Sequence, residues 1–355
     1  MTNPGVEVGV VVVNFEDRDR LLGCLACCRR HAADAFLLVV DNASGDGSAG
    51  AVREHFPGVH LVAQAQNLGF AAGANAGIRV CLERGLAYIL VLNSDIELSA
   101  GAVASLAAFM DGTPHAGAVQ PAILLPDGRV NSMGNPFHFL GFCHAGGHGL
   151  TVSEAEARLP WLRRAGRGRA AEVPSCSGAA ILLRAEALRD VGLLADELFL
   201  YCEDLELSLR LRRAGWTTWV LPEATAVHDY KFSGSKEKWF YLERNRLYVW
   251  SRLWRRRTLL LLLPAMLVSE VAVNVLAAYQ GWLGHKLRSY RALAALVRRR
   301  PPRRAPRPGL PSDRQLMASA SGGMDSGEFR HPLVVLVLNP AGELAWRCLY
   351  LLLRW

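Results

Sequence analysis

Three groups of polar residues in this sequence could carry chemistry, and the first follows an apolar run. Asn93, Ser94 and Asp95 come directly after the run over 88–92, whose composition predicts a buried strand. Ligands of open α/β sheets bind beyond the carboxyl ends of the strands, so we expect Asp95 to face a substrate or a metal ion. A turn that caps the helix expected over 100–110 is the alternative for these three residues.

The second group is the segment over 41–48, which follows another apolar run. It is dense in turn-forming and helix-capping residues, so its backbone N–H groups could meet an anion or a ribose. An ordinary loop between a strand and a helix would have the same composition. Further on, Gly69, Gly73 and Gly77 recur every four residues, which places them on one helix face where backbone can pack closely against a sheet or a ligand.

The third group is the pair of carboxylates at 203 and 204. Glu203 and Asp204 lie at the start of a predicted helix that ends at Gly215. Acidic side chains are favourable at a helix N-terminus, so the pair could be purely structural. Glu206 and Arg210, four residues apart on the same helix, fit a salt bridge.

The elements that must position these groups alternate regularly. Strands are predicted over 8–13, 36–40, 60–63 and 88–92, with helices between them. This order predicts an α/β fold with a doubly wound, mostly parallel sheet, helices on both faces and every polar loop at one edge. Such an edge suits a nucleotide, although the sequence has neither a G-x-G-x-x-G fingerprint nor a Walker loop.

The chain resembles the family 2 glycosyltransferases of the GT-A fold, and the rhamnosyltransferase-like members are the most similar branch. The resemblance spans about residues 8 to 250 and rests on signatures that occur in the right order. These signatures are the segments 10–14, 40–48, 67–70 with Asn75, 92–95, 196–216 and 241–246. The resemblance implies that the donor is bound by Asn14, Asp41, Asn42, Ser44, Asp46, Asn67, Gly69, Phe70, Asn75, Asn93, Ser94 and Asp95.

The resemblance also implies particular roles. Asp41 would meet the base or the ribose. One carboxylate of the pair would deprotonate the attacking hydroxyl, because an alcohol is a poor nucleophile. We expect Asp204 to be this base and Glu203 to orient it or the acceptor, and the reverse order is the alternative.

A divalent cation, Mg²⁺ or Mn²⁺, is the implied cofactor. Asp95 and His228 would hold it together with water and the donor diphosphate. The cation would neutralise charge that develops on the leaving nucleoside diphosphate. The motif is Asn-Ser-Asp rather than a full Asp-x-Asp, so Asp95 is the one carboxylate that carries over as a ligand.

These expectations add up to an inverting glycosyltransferase. It would move a sugar, rhamnose being one candidate, from a dTDP- or UDP-sugar donor to a hydroxyl of a lipid-linked or envelope polysaccharide acceptor. A catalytically inactive GT-A-like membrane scaffold is one alternative, and it would be expected to have lost the carboxylates at 95 or 204. A dinucleotide-dependent oxidoreductase is the other, and the missing glycine fingerprint argues against it.

Charge is distributed unevenly along the chain. Residues 1–249 contain 23 Lys and Arg against 27 Asp and Glu, whereas residues 250–355 contain 17 against 5. A catalytic half without a basic excess argues against a nucleic-acid partner. The eight cysteines have no disulfide or zinc spacing and the N-terminus does not resemble a signal peptide, so we expect a cytoplasmic protein.

The basic tail predicts contact with a membrane. Residues 259–283 are apolar except for Glu270, Asn274 and Gln280, and the run is long enough to span a bilayer. Cations flank it on both sides, which favours a helix that lies on the inner face of the cell membrane. A spanning helix and a packed core helix are the alternatives.

The predicted domain organisation has four parts. Residues 1–250 form the catalytic domain, with a donor half over about 1–125 and an acceptor half over about 175–250. A long insertion over 137–174 would border the acceptor groove. Membrane-associating helices follow over 251–300, a disordered linker over 301–330 and an apolar C-terminal segment over 331–355 that docks on the domain or the bilayer.

Overall fold

The computed structural model describes residues 7–229, 235–299, 309–324 and 339–355. The strands are β1 (Val8–Asn14), β2 (Phe36–Asp41), β3 (His60–Ala63), β4 (Tyr88–Asn93), β5 (Ile96–Leu98), β6 (Ala116–Leu124), β7 (Val130–Ser132), β8 (Phe137–His138), β9 (Ala171–Glu172), β10 (Ala180–Arg184), β11 (Thr217–His228) and β12 (Ala320–Ser321). The helices are α1 (Arg18–His31), α2 (Ser48–His55), α3 (Gly69–Glu83), α4 (Ala102–Gly112), α5 (Val152–Arg158), α6 (Pro160–Ala165), α7 (Ala185–Val191), α8 (Glu203–Arg213), α9 (Glu237–Leu253), α10 (Arg256–Tyr279), α11 (Leu283–Arg299), α12 (Asp313–Met317) and α13 (Asn339–Leu352).

The central sheet has the order β3-β2-β1-β4-β10-β6-β11-β5, with β7 beside β6 and β9 beside β11. Strands β1 to β4 run parallel, and β6 and β11 are parallel to each other. Strand β10 lies between β4 and β6 and runs antiparallel to both. The predicted α/β fold with a mostly parallel, doubly wound sheet is therefore confirmed.

Two apolar layers sandwich the sheet. On one face α1 and α4 contribute Leu21, Leu25 and Leu106 to the core. On the other face α3 and α8 contribute Ile78 and Leu211. Burying both faces explains why β1 and β4 are almost continuous apolar runs.

The glycine face of α3 packs against the sheet, as its spacing predicts. A Cβ atom at Gly77 would lie 2.3 Å from Val11 Cγ1, and one at Gly73 would lie 2.6 Å from Asn42 Nδ2. Neither position has room for a larger residue. This close approach draws the N-terminus of α3 towards the loop that follows β2.

The tail differs from its prediction in two respects. The apolar run over 259–283 is interrupted, because α10 ends at Tyr279 and α11 begins at Leu283 after a turn at Gly281 with φ +72°. Residues 309–324 form α12 and β12, which pairs with β8, rather than the expected disordered linker. Packing by Leu316 and Met317 explains the order. The rest of that predicted linker lies outside the described residues.

The C-terminal helix α13 docks on the rest of the protein. Trp346 is buried and stacks on Phe139 with ring centroids 5.0 Å apart. Trp250 and Leu262 belong to the same apolar cluster. The insertion over 137–174 thus contacts both α9 and α13 through its first residues, and its place beside an acceptor groove stays a prediction.

Candidate active site

Side chains at the ends of β1 and β2 hold the predicted loop over 41–48 together. Asn14 Nδ2 donates to Asp41 Oδ1 at 2.9 Å and to Ser44 Oγ at 3.1 Å. Asp41 Oδ2 accepts from the backbone N–H of Ser44 at 3.1 Å. Asp41 is only 2% exposed, so its carboxylate fixes the loop geometry. A direct contact between Asp41 and the base or ribose stays a prediction.

Asp46 joins the same loop to the start of α1. Its Oδ2 accepts from the backbone N–H of Arg18 at 2.8 Å, and its Oδ1 accepts from Ser48 Oγ at 2.6 Å. Partial burial acts to raise the pKa of Asp46, but these hydrogen bonds outweigh it and the pKa is lowered. Asp46 is therefore held as a carboxylate that shapes the loop.

The predicted asparagines hold the N-terminus of α3. Asn42 Nδ2 donates to the carbonyl of Gly69 at 3.1 Å, and Asn67 Oδ1 accepts from the N–H of Gly69 at 2.8 Å. Asn75 is buried and bonds to both the N–H and the carbonyl of Leu194, and it also donates to Asp196. These bonds make Asn75 a positioning residue, and the donor contact predicted for it stays a prediction.

Asp95 and His228 meet although they are distant in sequence. Strand β11 runs antiparallel to β5 and brings His228 opposite Ile96. His228 Nε2 lies 3.1 Å from Asp95 Oδ1, and His228 Nδ1 lies 3.1 Å from Asn131 Oδ1. The predicted metal ligands are thus neighbours at the end of the sheet.

This arrangement fits a divalent cation. If the Nδ1–H group of a neutral His228 donates a hydrogen bond to Asn131, the lone pair of Nε2 faces the carboxylate oxygen of Asp95. A cation between the two atoms, or a second proton on the ring, removes that repulsion. Carboxylate oxygen and imidazole nitrogen are suitable ligands for Mn²⁺, and oxygen is preferred by Mg²⁺. No group of three or more His, Cys, Asp or Glu in the described ranges could hold a metal, so a substrate would have to complete the shell.

An arginine that sequence analysis missed lies over this pair. Arg20 Nη1 donates to the carbonyl of Asp229 at 3.0 Å and lies 3.7 Å from Asp95 Oδ2, while Nε donates to Asp17 at 2.9 Å. Asp17 also accepts from Ser94 Oγ at 3.2 Å. Three carboxylates share one guanidinium here, which favours an added cation. The available signal was the position of Arg20 on α1, just beyond the carboxyl end of β1.

The predicted catalytic pair, Glu203 and Asp204, begins α8. Asp204 Oδ2 accepts from the N–H of Gly178 at 3.0 Å, and Oδ1 accepts from the N–H of Leu205 at 2.7 Å. Glu203 is 6% exposed, and its Oε2 has no hydrogen-bond partner among the described residues. Burial, with a smaller contribution from Asp204, raises the pKa of Glu203 to about 8. Burial also raises the pKa of Asp204, against the two backbone donors.

These environments separate two neighbouring carboxyl groups. Glu203 favours its protonated form because no donor stabilises its charge. Asp204 is the better of the two at holding a negative charge, because two N–H groups point at it. The pair therefore suits one ionised carboxylate beside one carboxylic acid.

The segment over 177–179 connects the pair to the metal ligands. Gly178 donates to Asp204, and the carbonyl of the next residue, Ala179, accepts from the N–H of Asn93 at 3.0 Å. Phe70 flanks the same turn, since a Cβ atom at Gly178 would lie 3.7 Å from its ring and 3.3 Å from Asp204 Cβ. The two halves of the predicted site therefore share one edge of the sheet.

The backbone just before the pair is strained and held from behind. Phe199, Tyr201 and Cys202 have φ values of 65°, 69° and 67°, which non-glycine residues adopt at a cost of about 1–3 kcal/mol each. Asn245 Nδ2 lies 2.8 Å from each of three carbonyl oxygens of the segment 198–201. Arg244 Nη2 donates to the first of these carbonyls at 2.7 Å. The Arg-Asn signature on α9 thus holds the segment that precedes Glu203 and Asp204.

Comparison with known proteins agrees with this geometry. The sequence profile of Glycosyl transferase family 2 matches residues 9–192 of the 355. The chain belongs to this family. It is therefore a glycosyltransferase, as the signatures predict, and its match ends before Glu203, Asp204 and His228.

Two relatives are similar to this glycosyltransferase over part of its length. It is 30% identical over 215 residues to the N-acetylglucosaminyl-diphospho-decaprenol L-rhamnosyltransferase of Mycobacterium tuberculosis. This match covers 57% of this chain and 68% of the relative. It is 26% identical over 172 residues to the dTDP-rhamnosyl transferase RfbF of Shigella flexneri, covering 48% and 52% of the two chains.

A solved structure shares the fold of this glycosyltransferase. The crystal structure of GalNAc-T7 with UDP, GalNAc and Mn²⁺ superimposes with a TM-score of 0.57 at 15% identity. The match covers 71% of this chain and 49% of that longer chain. At this identity the likeness concerns the fold.

Proposed function

We propose that this glycosyltransferase transfers rhamnose from dTDP-rhamnose to a hydroxyl of a lipid-linked glycan, with inversion at the anomeric carbon. The observation that carries the proposal is the arrangement of Asp204, Gly178 and Asn93, which brings a base and the Asp95 region to one sheet edge. The names of the two relatives support rhamnose as the sugar, and the Mycobacterium tuberculosis name supports a lipid diphosphate acceptor.

In the proposed mechanism Asp204 is the general base. Its carboxylate takes the proton of the acceptor hydroxyl as the oxygen attacks the anomeric carbon and the bond to the dTDP oxygen breaks. Direct displacement of this kind needs one base and no protein nucleophile, so the anomeric configuration inverts. Glu203 keeps its own proton and leaves the charge of the pair on Asp204.

Asp95 and His228 would hold Mg²⁺ or Mn²⁺, and the donor diphosphate and water would complete its shell. When bound, the cation supplies positive charge against the leaving diphosphate. Asp17 and Asp229 hold the Arg20 side chain, and Arg20 in turn keeps the Asp95 carboxylate in place. Asn14, Asp41 and Asp46 shape the loop proposed to receive the nucleoside.

A transfer assay tests this function. The purified protein is given labelled dTDP-rhamnose, Mn²⁺ and a polyprenyl diphosphate N-acetylglucosamine acceptor, and the lipid product is isolated. We expect a rhamnosylated lipid whose anomeric configuration, read by NMR, is opposite to that of the donor. Transfer from another nucleotide sugar alone would contradict the choice of rhamnose, and retention of configuration would contradict the base mechanism.

A further inference from the structure

Helix α10 has an apolar side that the described residues leave uncovered. Its large side chains there are between 45% and 72% exposed, and they are Leu260, Leu263, Leu267, Val268, Val271, Val275 and Leu276. Helix α13 adds Leu344, Leu351 and Leu352, which are 57–70% exposed. The two helices adjoin, since Trp355 Nε1 donates to Thr258 Oγ1 at 2.7 Å. We name these ten leucine and valine residues the α10–α13 face.

Large apolar side chains that are exposed together are typical of surfaces that bind a protein or a membrane. Within the described ranges α10 is the one helix long and apolar enough to cross a membrane, with a mean hydropathy of 2.2 over its most apolar window. Length and composition alone do not separate a helix that crosses the bilayer from one that lies on it. The contacts of α10 with the rest of the protein make that distinction.

Contacts hold α10 to the rest of the protein at its start, in its middle and near its end, while most of the helix is exposed among the described residues. At its start Thr258 donates to Asp313 at 2.5 Å, and in the middle Glu270 pairs with Arg246 and with Lys286. Nearer its end Asn274 donates to Tyr290 at 2.8 Å, and Ala277 is fully buried.

A spanning orientation would therefore take more than α10 into the membrane. Arg246 on α9 and Lys286 on α11 are both buried against Glu243 and Glu270. Carrying this charged cluster to the depth of the hydrocarbon is costly. A helix parallel to the bilayer surface keeps the cluster on the protein side and places the α10–α13 face in lipid.

The charges around the face identify the kind of membrane. Exposed arginines stand at the start of α10, at positions 256 and 257, on α13 at 347, and at 354 just beyond the end of α13. Arg257 also lies over the ring of Trp355, 4.5 Å from its centroid. Tyr279, which is 89% exposed, marks the far end of α10. Arginines and interfacial aromatics around an apolar strip are typical of binding to anionic lipid surfaces.

We infer that the α10–α13 face lies in the surface of an anionic bilayer with α10 parallel to it. Helix α9 then connects the membrane to the active site, because Arg246 bonds α10 while Arg244 and Asn245 hold the segment before Glu203. Taken with the proposed function, on which this last step rests, α9 links the surface that would carry a lipid-linked acceptor to the segment that precedes the base.

Vesicle flotation of the full chain tests the inference. The probes are vesicles of phosphatidylcholine alone and of equal parts phosphatidylcholine and phosphatidylglycerol. We expect the wild-type protein to float with the anionic vesicles, and the double variant Leu267→Glu, Val271→Glu to lose about tenfold or more of that binding. The matched control is Ala104→Glu, Ala108→Glu, which adds two charges with the same spacing to exposed positions of α4 and should float like wild type.

Three results would overturn the inference. Equal flotation of both double variants would place the membrane contact elsewhere, and retention of the wild-type protein on membranes after an alkaline carbonate wash would indicate a spanning helix. A dimer abolished by Leu267→Glu, Val271→Glu, with no vesicle binding by wild type, would make the face a protein interface. Binding of the nucleotide-sugar donor is measured separately for wild type and for the same variants. Absence of donor binding by the wild-type protein would contradict the proposed function and leave the membrane inference standing.

Discussion

Glu203 and Asp204 are adjacent in sequence, yet their surroundings differ. Asp204 accepts two backbone hydrogen bonds, whereas Glu203 Oε2 accepts none from the described residues. An ionised carboxylate is stabilised by such donors and destabilised by burial without them. This difference, which spacing could not show, is the reason for assigning the base to Asp204.

Replacing the base should remove turnover and leave donor binding intact. We expect Asp204→Asn to lower the transfer rate by about 10²- to 10⁴-fold, because the amide cannot take the hydroxyl proton. Donor affinity, measured by calorimetry, should stay at the wild-type value. Asp127→Asn, at an exposed carboxylate in a turn, is the control and should transfer normally. A normal rate for Asp204→Asn would take the base role away from this residue.

The raised pKa of Glu203 predicts a dependence of stability on pH. The folded protein keeps this proton between the ordinary value of 4.5 and about 8, so the group's contribution to stability falls as pH rises through that window. Glutamine cannot ionise. We therefore expect the melting temperature of Glu203→Gln minus that of wild type to increase as pH rises from the lower to the upper end of the window.

Thermal melts across this pH range measure the effect. The control is Glu154→Gln, because hydrogen bonds from Thr151 lower the pKa of Glu154 and keep it ionised throughout the window. Its difference from wild type should stay constant with pH. A constant difference for Glu203→Gln as well would contradict a raised pKa at this position.

At the scale of elements, the apolar pattern of the sequence predicted those features of strands and helices that depend on neighbouring residues in the chain. The bounds of β3 agree with the predicted ones, and the glycine face of α3 packs as its spacing indicated. The reversed direction of β10 could not be predicted, since a short apolar run has the same pattern in either direction. The break between α10 and α11 follows from one positive φ angle at Gly281, which an apolar run conceals.

Long-range contacts set the remaining limit on the site. The family resemblance implied a common site for Asp95 and His228, but the hydrogen bonds of Asn75 and the position of Arg20 depend on which elements become neighbours. Asn245 is a further case. Its contacts with the segment 198–201 join residues more than forty positions apart. The sequence could therefore identify Asn245 as part of a signature but could not predict which segment it holds.

Asn245 should be needed for the geometry of the catalytic pair. We expect Asn245→Ala to cost about 1–3 kcal/mol of unfolding free energy, because carbonyls of a strained segment lose their donor. The transfer rate should fall more than donor affinity does. Asn274→Ala, which removes bonds of α10 without touching that segment, should lower stability and keep the rate. Urea unfolding and initial rates would separate the two, and an unchanged rate in folded Asn245→Ala would contradict the positioning role.

At the scale of the whole molecule, the catalytic half and the tail share a core. Trp250, Leu262 and Trp346 come from three predicted domains and belong to one apolar cluster with Phe137. The boundary at residue 250 stays a prediction, and this cluster argues that the tail is packed on the catalytic half rather than tethered to it.

Donor binding is the most direct test of the central claim that a nucleotide sugar and a divalent cation meet at Asp95 and His228. Calorimetry would compare dTDP-rhamnose with UDP-sugars, with Mn²⁺ and with chelator, for wild type and for Asp95→Asn. We predict selective binding of one nucleotide sugar that Mn²⁺ strengthens in wild type and not in Asp95→Asn. Binding that neither the chelator nor Asp95→Asn weakens, or no binding of any donor by the folded protein, would contradict the account.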